Sequence, residues 1–121
     1  PDYDALLADV GAVHGAAWHP RLPAVDQQLA TVPRATAGPL VLRWLLHPGE
    51  SYEGARGRYA PFDRLQDPDP GARGAIATVV AQALRSGREA LVIVNNKAEG
   101  SAPLSVVELA RQMAREGVAP C

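Results

Sequence analysis

The side chains best suited to chemistry in this chain stand inside or directly after its two most apolar runs. Arg43 interrupts Leu40-Val41-Leu42-Arg43-Trp44-Leu45-Leu46, and His47 follows that run. Asn95, Asn96 and Lys97 follow Leu91-Val92-Ile93-Val94. If both runs are parallel strands, these residues lie at or near carboxyl ends, where parallel α/β sheets bind their ligands. Arg43, Leu45 and His47 alternate by two, so a strand would point them to one face. An arginine in such a place can clamp an anion. It can equally form a structural ion pair with an acid such as Glu99 or Asp63, because an unpaired buried charge is costly. The loop from Asn95 to Ser101 opens a helix, and a helix start offers free N–H groups to an anion. Two carboxamides and the Lys97 ammonium add donors and charge. The ligand expected from this set is a phosphate or carboxylate group on a small molecule. The competing reading is that the asparagines hold a tight turn and cap the helix.

Other residues carry weaker signals. His14, His19 and His47 stand on separate segments without ligand-type spacing, so neither a metal site nor a cofactor is expected. Tyr52, Tyr59 and Phe62 are interleaved with Arg56, Arg58 and Arg64. That pattern suits stacking on a base or sugar beside phosphates, or simply pinning a long loop to the core. Asp67 and Asp69 resemble a carboxylate pair, but Pro68 and Pro70 beside them mark a helix start. No Ser-His-Asp order, phosphate-loop glycine pattern or Cys-x-x-Cys pair occurs. The single cysteine, Cys121, occupies the final position, which is a poor place to hold a nucleophile.

Composition narrows the classes. The chain has 121 residues, 47% of them apolar and 21% charged, with a formal net charge of -1. That is one ordinary domain or part of a larger one, and not a protein held to polyanions by bulk charge. Of 12 Lys and Arg residues only Lys97 is a lysine, which reads as coding bias before function. One cysteine permits no internal disulfide, so a reducing, cytoplasmic setting is the expectation. No run approaches a bilayer span, and no signal peptide is visible, so no membrane partner is expected. The first residue is Pro1. This suggests a processed chain or a piece of a longer one.

The elements that must hold these residues can be read from periodicity. Residues 3–10 suggest a short helix with Ala5, Leu6 and Val10 inward. A weak strand follows over 13–18, then a helix opening at Pro23 with Val25, Gln28, Leu29 and Val32 on one side. Leu40–Leu46 is nearly continuous in apolar residues, as for a strand covered on both faces. Residues 50–66 allow short helical turns. Asp69-Pro70 starts a helix carrying Ile76, Val79, Val80, Ala83 and Leu84, with Gly87 closing it. Leu91–Val94 is a buried-type strand. The last helix places Val106, Leu109, Ala110 and Met113 on one side. Ser105 and Glu108 fit a capping box, although Pro103 suggests an earlier start. Alternation of helix and strand implies an α/β fold of parallel β-α units with right-handed crossovers.

Two segments carry a resemblance. One is Leu40 to Gly49 with Tyr52 and Tyr59-Ala60-Pro61-Phe62-Asp63-Arg64-Leu65. The other is Val92-Ile93-Val94-Asn95-Asn96-Lys97-Ala98-Glu99-Gly100-Ser101-Ala102-Pro103. Together they resemble the end of the YecE-like family, also called domain of unknown function 72. There, an arginine-bearing strand precedes a tyrosine loop, and a final strand ends in paired asparagines. The likeness covers roughly residues 40–110, and more loosely 5–35. It implies a TIM (β/α)8 barrel about twice this length, of which the chain would be the carboxy-terminal fragment carrying the last three strands. Where the family often has histidine-glycine soon after the strand arginine, this chain reads Leu45-Leu46-His47-Pro48-Gly49. Where many members have an asparagine early in the last helix, it reads Pro103-Leu104-Ser105, and no role carries over there. The family has no settled reaction, so the resemblance implies a fold and a site location only. By that location Arg43, His47, Asn95, Asn96 and Lys97 would meet a phosphate-bearing small molecule or nucleic acid. A second reading is a non-catalytic fragment that survives by associating with another chain.

Overall fold

The computed structural model describes residues 2–33 and 38–117. Cys121 lies outside them. The element order is α1 (Tyr3–Asp9), β1 (Gly15–Trp18), α2 (Val25–Ala30), β2 (Leu40–Trp44), α3 (Tyr52–Tyr59), α4 (Pro70–Arg85), β3 (Ala90–Val94) and α5 (Ala102–Arg115). The strands form one parallel sheet in the order β1-β2-β3. The alternation read from sequence therefore holds, with two helices rather than one between β2 and β3.

Period-two alternation divides the sheet into unlike faces. Leu40, Leu42 and Trp44 point to one side and are buried, with Ala16 beside them on β1. Val25 of α2, a row of α4 residues and Leu109 and Met113 of α5 close over this side. The α4 row is rich in alanine (Ala72, Ala77, Ala81 and Ala83), so the helix lies close to the sheet around Ile76. Burying a residue such as Ile76 or Leu42 contributes roughly 1.5–3 kcal/mol. The opposite face carries Ala17, Val41, Arg43, Leu91 and Ile93, and no described helix covers it. Leu91 is 56% exposed and Ile93 45%. The expectation of a β2 strand covered on both faces is thus met on one face only.

The long helix forms as its residues dictate. Asp69 caps α4 by accepting from Ala72 N at 3.1 Å, with Pro70 in the first turn. At the other end Gly87 takes φ +77°, Gly87 N donates to Leu84 O and Arg88 N to Ala83 O. That double bond is the Schellman closure that a left-handed glycine allows. Two other expectations hold only in part. Leu6 of α1 and Val10 just after it are exposed, because the short helix lies at the margin of the fold and buries only Asp4. In α5 the buried stripe is Ser105, Leu109 and Met113, with Val106 50% exposed. The helix begins at Ala102, so Ser105 lies inside it, not at a capping box, and Glu108 pairs with Arg111 instead.

Candidate functional site

The carboxyl ends of the three strands meet in one region, assembled from the loops after β1, β2 and β3. His47 N donates to Lys97 O at 3.0 Å, so the loops after β2 and β3 are tied together. The Lys97 ammonium stands 5.6 Å from the centre of the Tyr52 ring. His19, from the loop after β1, lies 6.2 Å from the same ring at a tilt of 34°. A shallow concavity beside them is lined by His19, Pro20, Arg21, Leu46, Glu50, Ser51 and Tyr52. The structure therefore brings His47, Asn95, Asn96 and Lys97 to one end of the sheet. It adds Tyr52, His19 and Arg21 from the flanking loops. Arg21 was not legible as a site residue, since it carries no motif and sits in a proline-rich turn.

The asparagines are partly committed to backbone. Asn95 Oδ1 accepts from Lys97 N at 2.8 Å, closing the turn. Asn96 Oδ1 accepts from Ala102 N at 2.8 Å and caps α5. Ser101, at the N-cap position, makes no side-chain cap bond. The start of α5 is thus occupied by the chain itself, and Ala98, Glu99, Gly100 and Ser101 before it are buried. The asparagines thus hold the turn and cap the helix, the competing reading from sequence, and the helix end is not open to an anion as the ligand reading expected. What the two asparagines retain toward solvent is their NH2 groups, neither of which has a hydrogen-bond acceptor among the described residues.

Arg43 is exposed on the bare face of the central strand and in register with Ile93. It forms no ion pair among the described residues. Neither proposed acid pairs with it: Glu99 pairs with Arg73, and Asp63 is exposed in the loop after α3. His47 Nδ1 donates to Pro48 O at 2.9 Å, which leaves Nε2 as the ring nitrogen not engaged by this bond.

Behind this region lies a second polar cluster that is structural. Tyr59 is fully buried, and its hydroxyl donates to Asp67 Oδ2 at 2.6 Å. Arg58 Nη2 donates to the same oxygen at 2.6 Å, and Arg58 also pairs with Glu50. Burial, then the bond to the Asp67 carboxylate, raises the Tyr59 phenol well above its ordinary range. The bond from Tyr59 outweighs burial and, with Arg58, holds Asp67 below the usual carboxylate range. Tyr59 and half-buried Phe62 thus pin the loop, and only Tyr52 of the three aromatic residues is free to stack. Asp69 is a helix start, as read from sequence, whereas Asp67 is the acceptor of this cluster.

Fully buried Glu99 joins the two halves of the structure. It pairs with Arg73 of α4, accepts from Asp69 N at 2.7 Å, and its carbonyl accepts from Asp67 N at 3.1 Å. Gly100 beside it has φ +120°, and a Cβ there would lie 2.6 Å from Arg64 O. Only glycine lets the two loops close to this distance.

Among the described residues no group of three or more His, Cys, Asp or Glu side chains could hold a metal ion, and no helix is long and apolar enough to cross a membrane. No family model matches the chain, and no curated protein or solved structure matches it.

Proposed function

We propose that the carboxyl end of the sheet binds an anionic small molecule carrying a phosphate group, with Lys97 and His47 as its polar floor. The observation that carries this reading is the junction of the loops after β2 and β3, where the His47 N to Lys97 O bond ties the two residues together. The outward NH2 groups of Asn95 and Asn96 add neutral donors, and Tyr52 offers an apolar ring for the rest of the ligand. Arg43 supplies a second cation on the bare face of the sheet. The one-sided helix layer and the simple strand order suit a barrel wall, in which that bare face would line the interior. This supports the reading of the chain as a carboxy-terminal segment of a YecE-like TIM barrel with the mouth of the barrel as the site. Nucleic acid is the alternative ligand class, favoured only by exposed Arg56, Arg58 and Arg64 near Tyr52.

Titration with inorganic phosphate, a phosphate monoester and a nucleoside monophosphate tests the site. Backbone resonances of Asn96 and Lys97 should shift together, and Lys97→Gln should abolish the shifts while leaving the fold intact. Flat resonances up to millimolar ligand remove the proposal. For a single-stranded oligonucleotide, affinity that does not weaken with added salt contradicts contact with its phosphates.

A second reading, a non-catalytic module that associates with another chain, is favoured by a different observation: the open backbone of β3.

A further inference from the structure

The two outer edges of the sheet are not alike. On β1, Trp18 O accepts from Leu45 N, so the alternate residue Ala17 turns its backbone groups away from β2. One side chain takes both of them. Gln28 Oε1 accepts from Ala17 N at 3.1 Å, and Gln28 Nε2 donates to Ala17 O at 2.8 Å. Gln28 Nε2 also donates to Pro23 O at 2.7 Å, which fixes the carboxamide in place. A carboxamide offers one acceptor and a donor side by side, so Gln28 stands where a neighbouring strand would bond.

No such plug covers β3. Glu89 O accepts from Leu40 N and Asn95 N donates to Trp44 O, so the odd-numbered residues face β2. Ala90, Val92 and Val94 turn their N–H and C=O groups outward, and no described residue bonds them. The strand Ala90–Val94 holds neither a proline nor a charge, the usual means of blunting an edge.

We propose that two copies of this chain associate through β3, paired antiparallel about a two-fold axis at Val92. That register places Val92 against Val92 of the second copy and Ala90 against Val94. Each of these pairs exchanges two hydrogen bonds, which uses every outward group on the strand. Charge selects a second copy in this orientation. Exposed Glu89 stands just before the strand and Lys97 just after it. Antiparallel pairing brings Glu89 of each copy to the end where the other carries Lys97, whereas parallel pairing would set like ends together. The apolar strip of Leu91 and Ile93 also becomes continuous across the two sheets. The proposal does not depend on anion binding and its test substitutes a different residue; it belongs with the reading of the chain as a module that associates with another chain, since in a closed barrel a further strand would take this edge.

Sedimentation equilibrium of the 121-residue chain, from micromolar to near-millimolar concentration, should show a rise from monomer to dimer mass. Val92→Pro should hold the chain at monomer mass with an unchanged far-ultraviolet spectrum, since the Val92 N–H points outward and serves no bond to β2. Hydrogen exchange on the unaltered chain supplies a second readout that survives failure of that variant to fold. The Ala90, Val92 and Val94 amides should exchange at least about tenfold more slowly at the high concentration, while the Ala17 amide is equally protected at both. Monomer mass throughout overturns the proposal. So does a dimer in which those three amides exchange at the same rate at both concentrations, because that dimer would be formed by another surface.

Discussion

At the scale of single residues, the clearest electrostatic device is the pair formed by the buried Tyr59 phenol and the half-buried Asp67 carboxylate. The two groups respond to pH at opposite ends of the scale. Asp67 is held below its usual range in the fold. Its contribution to stability is therefore present above the unfolded value of about 3.9 and disappears as pH falls below it. Tyr59 is raised in the fold, so its contribution is complete below about pH 10 and lost as pH climbs above it. Tyr59→Phe should flatten both limbs of a urea-stability profile and cost about 1–2 kcal/mol at pH 7, where Asp67 loses its buried donor. Unchanged limbs would mean that other groups govern the pH response. Neither role was legible from the residues alone. Asp67 looks like half of a helix-start signal because Pro68 and Asp69 follow it, and the contact with Tyr59 exists only once α3 has packed. The same holds for Glu99, which reads as a loop acid and proves to be the buried partner of Arg73 rather than of Arg43.

At the scale of elements, local signals were decisive where the chain supplies its own ends. Asp69, Pro70 and Gly87 bound α4 as their chemistry requires, and the 3.6 periodicity picked its buried face. Signals failed where tertiary placement chooses the face. Leu6 of α1 and Val10 at its end are periodic but exposed, since a seven-residue helix at the margin has little to pack against. The start of α5 is the mixed case. Its cap comes from Asn96, six residues before Ala102, one of the two asparagines legible in the sequence as turn and cap residues. Asn96→Ala should therefore cost about 1 kcal/mol of stability, the usual value of a lost helix cap. Lys97→Gln, which leaves the cap intact, should cost much less. Chemical denaturation of the two variants checks this, and equal losses would show that the Asn96 oxygen does not cap the helix. The ordering also separates structure from ligand contact, because stability reports the asparagine oxygens and titration reports the outward NH2 and ammonium groups.

At the scale of the whole molecule, the governing fact is a parallel sheet with helices over one face. Parallel sheets are ordinarily covered on both. The near-continuous apolar run of β2 anticipates two covers, and Leu91 and Ile93 on β3 anticipate the same, yet the described chain provides one. A sequence reports that a residue is apolar, not which body eventually covers it, so the bare face could not be read before the helices were placed. The consequence can be measured by comparing two isoleucines. Ile76 is fully buried in α4 against the covered face, and Ile93 is 45% exposed on the other. Ile76→Ala should cost roughly 2–5 kcal/mol, because it removes buried carbon and leaves a cavity. Ile93→Thr keeps the β-branch that a strand favours and exchanges an ethyl group for a hydroxyl at a site open to water, so it should cost under about 0.5 kcal/mol. Both values come from denaturation at low protein concentration, where pairing through β3 does not contribute. If Ile93→Thr costs as much as a core substitution, the face is covered in solution, and the one-sided architecture described above is wrong. If the cost is small in this chain but rises by 1 kcal/mol or more within a longer polypeptide that contains it, the added segment is what packs on Arg43, Leu91 and Ile93, as a barrel interior requires.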